Sequence, residues 1–195
     1  ASVADAAALA GLAPDQAGRI ADALTAAGVF AEREALAYSH PIIRATVYED
    51  IPSAECGRME LCAAELLFTA GAPPERVSAH LLAAPPSGEP WVVDPLRVAA
   101  ANARARGVPE SAVRYLRRAL SEAPADAETE ILLELAQAET AAADPEAPEH
   151  LVAVVRRLDD PLSRARVQLM LGRALSAQGR RVVFYDQQSH GEWHK

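Results

Sequence analysis

Apolar residues recur every three or four positions along most of the chain, which is the spacing of amphipathic helices. The first such stretch runs from Val3 to Ala10 and ends at Gly11. A second begins at Asp15, which we expect to cap it, and runs to about Ala27. Ile20, Leu24 and Ala27 share an apolar stripe on it. The chain therefore opens with two predicted helices.

The pattern changes after Gly28, where β-branched and aromatic residues come close together. Val29-Phe30 and Leu36 to Tyr38 predict two short strands, joined by a charged turn at Glu32 to Glu34. His40-Pro41 then opens another helical stretch, because proline suits the first turn of a helix. Two helices followed by a hairpin are the outline of a winged helix, so residues 1–52 are predicted to form a winged-helix-like segment.

The next predicted helices link this segment to the second half of the chain. The helix from Pro41, which ends the first segment, and the helix from Ser53 each carry an apolar stripe, and that of the second helix is expected to face inward. These stripes are Ile42, Ile43, Val47 and Ile51 in the first, and Met59, Cys62, Ala63, Leu66 and Leu67 in the second. A shorter helix from Pro74 carries Val77 and Leu81, and the run 85–88 then breaks the chain. Residues 53–88 are thus a predicted linking helix pair.

Small and large apolar residues repeat at a spacing of 35 positions in the second half. The two matching sets are Ala112, Leu116 and Ala119, and Ala147, Leu151 and Val154. Small residues suit the places where stacked helices touch, and larger ones fill the grooves between them. Further helices are predicted at Ile131 to Ala142 and Leu162 to Ala177. The pattern therefore predicts tetratricopeptide-like antiparallel helix pairs over residues 89–180. The predicted fold is mainly α.

The last residues, 181–195, do not continue this pattern. Val182 to Tyr185 is strand-like, and a polar tail with His190, Glu192 and His194 follows. On a helix the two histidines could share a metal, but Gly191 and the polarity of the tail favour a solvated segment. A real terminal strand and a non-native segment both stay open for this atypical tail.

Composition and charge exclude several classes of function. The net charge of −8 disfavours a surface that grips a nucleic-acid backbone. The two cysteines, Cys56 and Cys62, fit neither a zinc site nor a disulfide framework, so free thiols in a reducing cytosol are expected. With no leader and no long apolar run, we expect a cytoplasmic protein without membrane contact. A start at Ala1 without methionine fits a piece of something larger.

Catalytic chemistry has no candidate motif in the sequence. It contains no phosphate-binding loop of the form G-x-x-x-x-G-K-[ST], no G-x-S-x-G and no H-E-x-x-H. We therefore expect no enzyme activity. His80, on an apolar helix face, is expected to pack between helices.

His40 is the main candidate for a binding role. It precedes a helix whose N-terminus favours an anion, so it could help to hold a phosphate or serve only as a helix cap. Arg44, one turn further on, could help bind the anion or pair with Glu49 or Asp50.

Four separated segments carry a family resemblance. They are Tyr38 to Asp50, Ala79 to Pro86, Pro90 to Val93 and Ala112 to Leu120. In order and spacing they resemble the middle region of large ATP-binding transcriptional regulators of the LuxR type, the maltose-regulator-like branch of the signal-transduction ATPases. The resemblance covers roughly Ala1 to Arg180 and does not extend to the tail.

The resemblance implies a regulatory function. An ATPase module would precede this chain and a DNA-binding helix-turn-helix would follow it in the full-length protein, which would bind ATP or ADP. The chain itself would hold no cofactor. His40 matches the place of a histidine that touches the nucleotide phosphate in related proteins, with Arg44 beside it. The winged helix would be a switch element, and the repeats would receive an effector or a protein partner.

Two alternatives come from other classes of protein. One is a stand-alone helical-repeat scaffold for protein–protein interaction, which would need a polar capping helix after Gly179 that the sequence does not offer. The other is DNA binding by the helix from Asp15 to Ala27. That helix carries Arg19 as its only base, together with two aspartates, so direct DNA binding is not expected.

Overall fold

The computed structural model describes residues 2–32 and 36–177 and is mainly α-helical with one short β-hairpin, as predicted. Its first elements are α1 (Val3–Ala10), α2 (Pro14–Ala26), β1 (Phe30–Glu32), β2 (Ala37–Tyr38), α3 (Pro41–Asp50), α4 (Ser53–Thr69) and α5 (Pro74–Ala83). A 3-10 turn (Pro90–Val92) is followed by α6 (Val93–Ala105), α7 (Pro109–Glu122), α8 (Glu128–Ala141), α9 (Ala147–Arg157) and α10 (Pro161–Ala177). None of the helices in this part of the chain is long and apolar enough to cross a membrane.

The chain divides into two compact units, residues 1–99 and residues 100–195. The boundary between them lies within α6. The boundaries predicted from the sequence, after residues 52, 88 and 180, divide the chain more finely and stay predictions. The atypical tail, including His190, Glu192 and His194, lies outside the described residues.

The N-cap of helix α2 lies two residues earlier than the sequence predicted, so the expected cap is wrong. Ala13 is the N-cap, Pro14 takes the first helical position, and Asp15 lies in the first turn without a capping hydrogen bond. A proline already has the φ of a helix and needs no partner for an N–H, so it starts the helix before Asp15.

The buried side of α2 also differs from the predicted stripe. Ala17 and Ala21 are buried, whereas Ile20 is 41% exposed. The small side chains allow a close approach to α1, whose Ala7 is buried too. Alanine positions therefore determine the rotation of this helix more than its largest apolar residue does.

The two strands form the predicted hairpin. Phe30 pairs with Tyr38 and Glu32 with Ala37 in an antiparallel ladder, with an irregularity between Phe30 and Glu32. The rings of Phe30 and Tyr38 lie 5.4 Å apart, a cross-strand aromatic contact that supports so short a hairpin. Glu32, predicted for the turn, belongs to strand β1, and the rest of the predicted turn lies outside the described residues.

Helix α3 starts at Pro41 as predicted, and the structure leaves its apolar stripe largely uncovered. None of its residues is buried, and Ile42 is 67% exposed. Within the described chain, its main contact is with strand β2. The helix is held at its start and leaves its apolar side chains in solvent.

Helix α4 is rotated relative to the predicted stripe. Gly57 and Ala64 are buried, whereas Met59, Cys62 and Leu66 are exposed. A Cβ added at Gly57 would lie 2.7 Å from Cδ of Pro85, so only glycine permits this close approach. The contact fixes the rotation of α4. The prediction failed because it followed the large side chains.

Helix α5 packs as predicted and belongs to the core of the first unit. Val77 and Leu81 are buried on it, beside the buried Ser78. The Ser78 hydroxyl donates to the carbonyl oxygen of Pro95 at 3.3 Å. This bond supplies a partner that a buried hydroxyl needs.

The second unit confirms the predicted repeat of small and large residues. All six repeat positions are buried: Ala112, Leu116 and Ala119 on α7, and Ala147, Leu151 and Val154 on α9. Helices α7 to α10 each pack against the next one along the chain. The connections are short, as expected for antiparallel helix pairs.

Candidate functional site

His40 is the N-cap residue of α3 and lies directly after strand β2. Its backbone is extended, and its ring Nδ1 accepts a hydrogen bond from the Ile42 N–H at 3.2 Å. The side chain is exposed. The bond satisfies one of the N–H groups that a helix start leaves without a partner.

The capping bond determines what the rest of the His40 ring can do. Because Nδ1 accepts, a neutral imidazole here carries its proton on Nε2. Nε2–H is then a donor on an exposed ring, suited to an acceptor such as a phosphate oxygen. Pro41 has no N–H and that of Ile42 donates to the ring, so neither of these two positions offers an N–H to an anion.

Arg44 lies one turn along the same helix. Its backbone N–H donates to the His40 carbonyl at 3.4 Å, so the structure brings the two predicted residues onto one helical turn. Its guanidinium Cζ lies 4.8 Å from the centre of the Tyr48 ring. This cation–π contact places the charge over an exposed aromatic ring. Two roles were expected of Arg44 from the sequence, a contact with an anion or an ion pair with Glu49 or Asp50. The contact with Tyr48 is not that ion pair.

A second cluster, which the sequence did not indicate, surrounds Arg117 on α7. Its Nη2 donates to Glu139 Oε1 at 3.0 Å, Asp144 Oδ2 at 2.9 Å and Glu146 Oε2 at 2.8 Å. On the far side of the fully buried Glu139 carboxylate, Oε2 lies 2.7 Å from His150 Nδ1. We call these five residues the Arg117 network.

The carboxylates of the Arg117 network stabilise the charged form of the Arg117 guanidinium. Burial acts to lower the pKa of Arg117, but the hydrogen bond to Glu139 and the charges of Asp144 and Glu146 outweigh it and raise the pKa. One Nη2 carries two hydrogens for three carboxylates, so one contact rests on charge alone. The network joins α7, α8, the following loop and α9.

A cation could find ligands in the same network. One ligand atom each of Glu139, Glu146 and His150 lie within 4.8 Å of one another. The guanidinium of Arg117 already touches both carboxylates, so a metal ion would have to displace it. The arrangement as it stands serves packing. Sequence reasoning had no signal for it, because partners 22 to 33 positions from Arg117 form no local motif.

An open groove of about 390 Å³ lies on the second unit. It is lined by Arg104, Gln137, Thr140, Ala141, Met170 and Arg173, which come from α6, α8 and α10. Arg104 Nη2 donates to Gln137 Oε1 at 3.3 Å across it. Helices α6, α8 and α10, which alternate along the chain, therefore line this groove. Arg104 and Arg173 give its lining two positive charges.

The other residues considered from the sequence have structural positions. His80 Nδ1 lies 2.6 Å from Glu60 Oε2 and joins α5 to α4, in line with the predicted packing role. Cys56 and Cys62 are free thiols, as expected.

The chain matches no protein-family model, no curated protein and no solved structure. The resemblance to LuxR-type regulators therefore stays a prediction from its four sequence segments.

Proposed function

We propose that this chain is a non-catalytic regulatory segment of an ATP-dependent transcriptional regulator of the LuxR type. It couples the nucleotide state of an ATPase module to the binding of an effector or protein partner in the cytoplasm. The observation that carries the proposal is the exposed His40 ring, whose Nδ1 is engaged by the Ile42 N–H. That bond leaves Nε2–H to donate outside the segment.

The nucleotide-sensing step is a charge-assisted hydrogen bond. A phosphate oxygen of ADP or ATP, held by the ATPase module of the same protein, accepts from His40 Nε2. Arg44 lies one turn along the same helix and adds positive charge to this part of it. When the contact between His40 and the phosphate is lost, α3 is released. Its exposed apolar face then contacts a different surface.

The charge balance supports a switch and not a DNA reader. The chain carries a net charge of −8, and Arg19 is the only base on α2. In this proposal DNA is bound by a separate helix-turn-helix module of the full-length protein. The helix pairs present the groove between Arg104 and Arg173 to the effector or partner.

The test compares His40→Asn and His40→Ala in the protein encoded by the complete reading frame. Asparagine is a good N-cap residue, so His40→Asn keeps the cap while it removes the Nε2 donor. We expect both variants to release a fluorescent ADP analogue about tenfold faster than the parent, the effect of one lost bond to a charged group. Unchanged release from His40→Asn would contradict the proposal.

The groove favours a second candidate, a helical-repeat scaffold that binds a protein partner without any nucleotide. Its concave, arginine-lined side suits an acidic segment of a partner. Under this alternative His40→Asn leaves the protein's behaviour unchanged, whereas replacing Arg104 and Arg173 by alanine weakens partner binding.

A further inference from the structure

Helices α8 and α10 occupy equivalent places in the array but are covered differently. Helix α8 packs between α7 and α9 and buries apolar side chains on both sides: Ile131, Leu132, Leu135, Ala136 and Ala138. Helix α10 packs mainly against α9. Its buried residues are Val167 and Ala174, which lie two turns apart on one side. The opposite side of α10 has no such cover within the described residues.

Two leucines lie on that opposite side. Leu162 and Leu169 are 62% and 57% exposed, and their spacing of seven puts them on one stripe two turns long. Ala165 is exposed between them. We call these three residues the outer stripe of α10. An exposed apolar row on a helix is typical of a docking surface for another helix.

The charged residues on helix α10 itself have one sign. Helix α10 contains Arg164, Arg166 and Arg173 and no Asp or Glu, in a chain whose net charge is −8. Arg164 Nη2 donates to the Leu158 carbonyl at 2.6 Å and is used within the fold. Arg166 and Arg173 are exposed and follow the leucines at offsets of four, so they lie on one flank of the stripe.

Asp160 is the carboxylate near this flank. It caps the start of α10, where the Ser163 N–H donates to Oδ2 at 2.7 Å. It also interacts with the charge of Arg166. Arg173, two turns further on, is at the rim of the groove that includes Met170. The flank therefore keeps its positive charge along most of the helix.

We propose that the outer stripe of α10 docks an amphipathic helix of a partner protein, with leucine-type residues on one side and Asp or Glu along the flank facing Arg166 and Arg173. The leucines supply the buried contact. Opposite charges at the rim set the orientation and exclude a basic helix. The inference does not depend on His40 or on nucleotide.

Two other occupants fit the charges less well. Residues 178–195 carry Arg180, Arg181 and Lys195 against Asp186 and Glu192, so they add the same charge sign as α10. A second copy that packed α10 against α10 would bring the flanking arginines of both copies together. A partner helix with acidic flanks has neither conflict.

The experiment uses the whole chain and two synthetic helical peptides as probes. Both peptides carry leucine at heptad spacing; one has glutamate beside the leucines and the other has lysine at the same positions. We expect fluorescence anisotropy at low ionic strength to show at least about tenfold tighter binding of the glutamate peptide. Equal affinity for the two peptides, or no binding of either, would overturn the proposal.

Charge-reversal variants make the test specific to α10. Arg166→Glu with Arg173→Glu should invert the preference, so that the lysine peptide binds more tightly. Arg114→Glu with Arg156→Glu is the matched control, because it changes the net charge equally at exposed positions on α7 and α9. We expect the control to keep the parent's preference, and an inversion by the control as well would overturn the assignment to α10.

Leucine variants and the assembly state test the remaining occupants. Leu162→Asp with Leu169→Asp should weaken binding of the glutamate peptide at least about tenfold while the helical circular dichroism is kept. A dimer in sedimentation equilibrium that Leu169→Asp abolishes would assign the surface to a second copy. Slow hydroxyl-radical labelling of Leu162 and Leu169 in the monomer would assign it to residues 178–195. Either result would overturn the proposal.

Discussion

Helices α3 and α7 both begin with a proline, yet the two units of the molecule use them in opposite ways. Helix α7 buries Ala112, Val113, Leu116 and Ala119, whereas α3 buries no residue and leaves Ile42 in solvent. Burial of apolar surface is the main source of folding free energy. The difference indicates that α7 contributes more to the folding free energy than α3 does.

The largest expected effect comes from shortening a core leucine of the repeats. Leu116→Ala should lower the free energy of unfolding by about 2–5 kcal/mol, because it leaves a cavity in a fully packed site. Ile42→Ala, the matched change on α3, should alter it by no more than about 0.5 kcal/mol. Chemical denaturation followed by circular dichroism measures both. Equal losses of unfolding free energy in the two variants would contradict the difference between α7 and α3.

The Arg117 network provides the next largest effect. Arg117→Met removes the guanidinium from the buried Glu139 carboxylate, which keeps its contact with His150, and should cost about 1–3 kcal/mol. Adding Glu139→Gln should restore part of that loss, since the double variant no longer buries an uncompensated charge. Arg114→Met, on an exposed position of the same helix, is the control. Additive losses in the double variant would show that the two side chains do not act together.

An effect of similar size in the first unit tests the rotation of α4. Gly57→Ala should destabilise the chain by about 1–3 kcal/mol through overpacking against the Pro85 ring. Helix propensity alone predicts a gain of about 1 kcal/mol, so the sign of the change separates the two explanations. A raised melting temperature would mean that α4 does not approach Pro85 so closely.

The smallest effect concerns the start of α10 and depends on pH. Two hydrogen bonds from Ser163 hold the pKa of the Asp160 carboxyl below its ordinary value. The bond from the Ser163 side chain contributes more than the bond from its N–H. The unfolded state therefore takes up the proton more readily, and the stabilisation is present at neutral pH and lost as the pH falls through the folded-state pKa. The melting-temperature gap between the parent and Asp160→Ala should narrow in acid. A constant gap would contradict this role.

Sequence reasoning predicted the elements better than their contacts. The positions of Pro41 and Pro74 gave the starts of two helices, and the small–large repeat gave six buried positions on α7 and α9. It failed where small residues determine which side of a helix packs. Gly57 fixes the rotation of α4 through contact with Pro85, which lies 28 positions away.

The candidate site was predictable in the same limited sense. A histidine before a proline-started helix indicated the capping position of His40, because that geometry is local. The Arg117 network and the groove were not predictable, since each combines residues from at least three elements. Only the packing of the array brings Arg104, Gln137 and Arg173 to one surface.

Hydrogen exchange of the chain in solution tests the contrast between the two units most directly. We expect the amides of α7, α8 and α9 to exchange slowest and those of α3 to exchange fast, because α3 lacks buried contacts in the described structure. Exchange of α3 as slow as that of α7 would contradict the account, since it would mean that the exposed face of α3, and the His40 ring at its start, are covered in the chain alone.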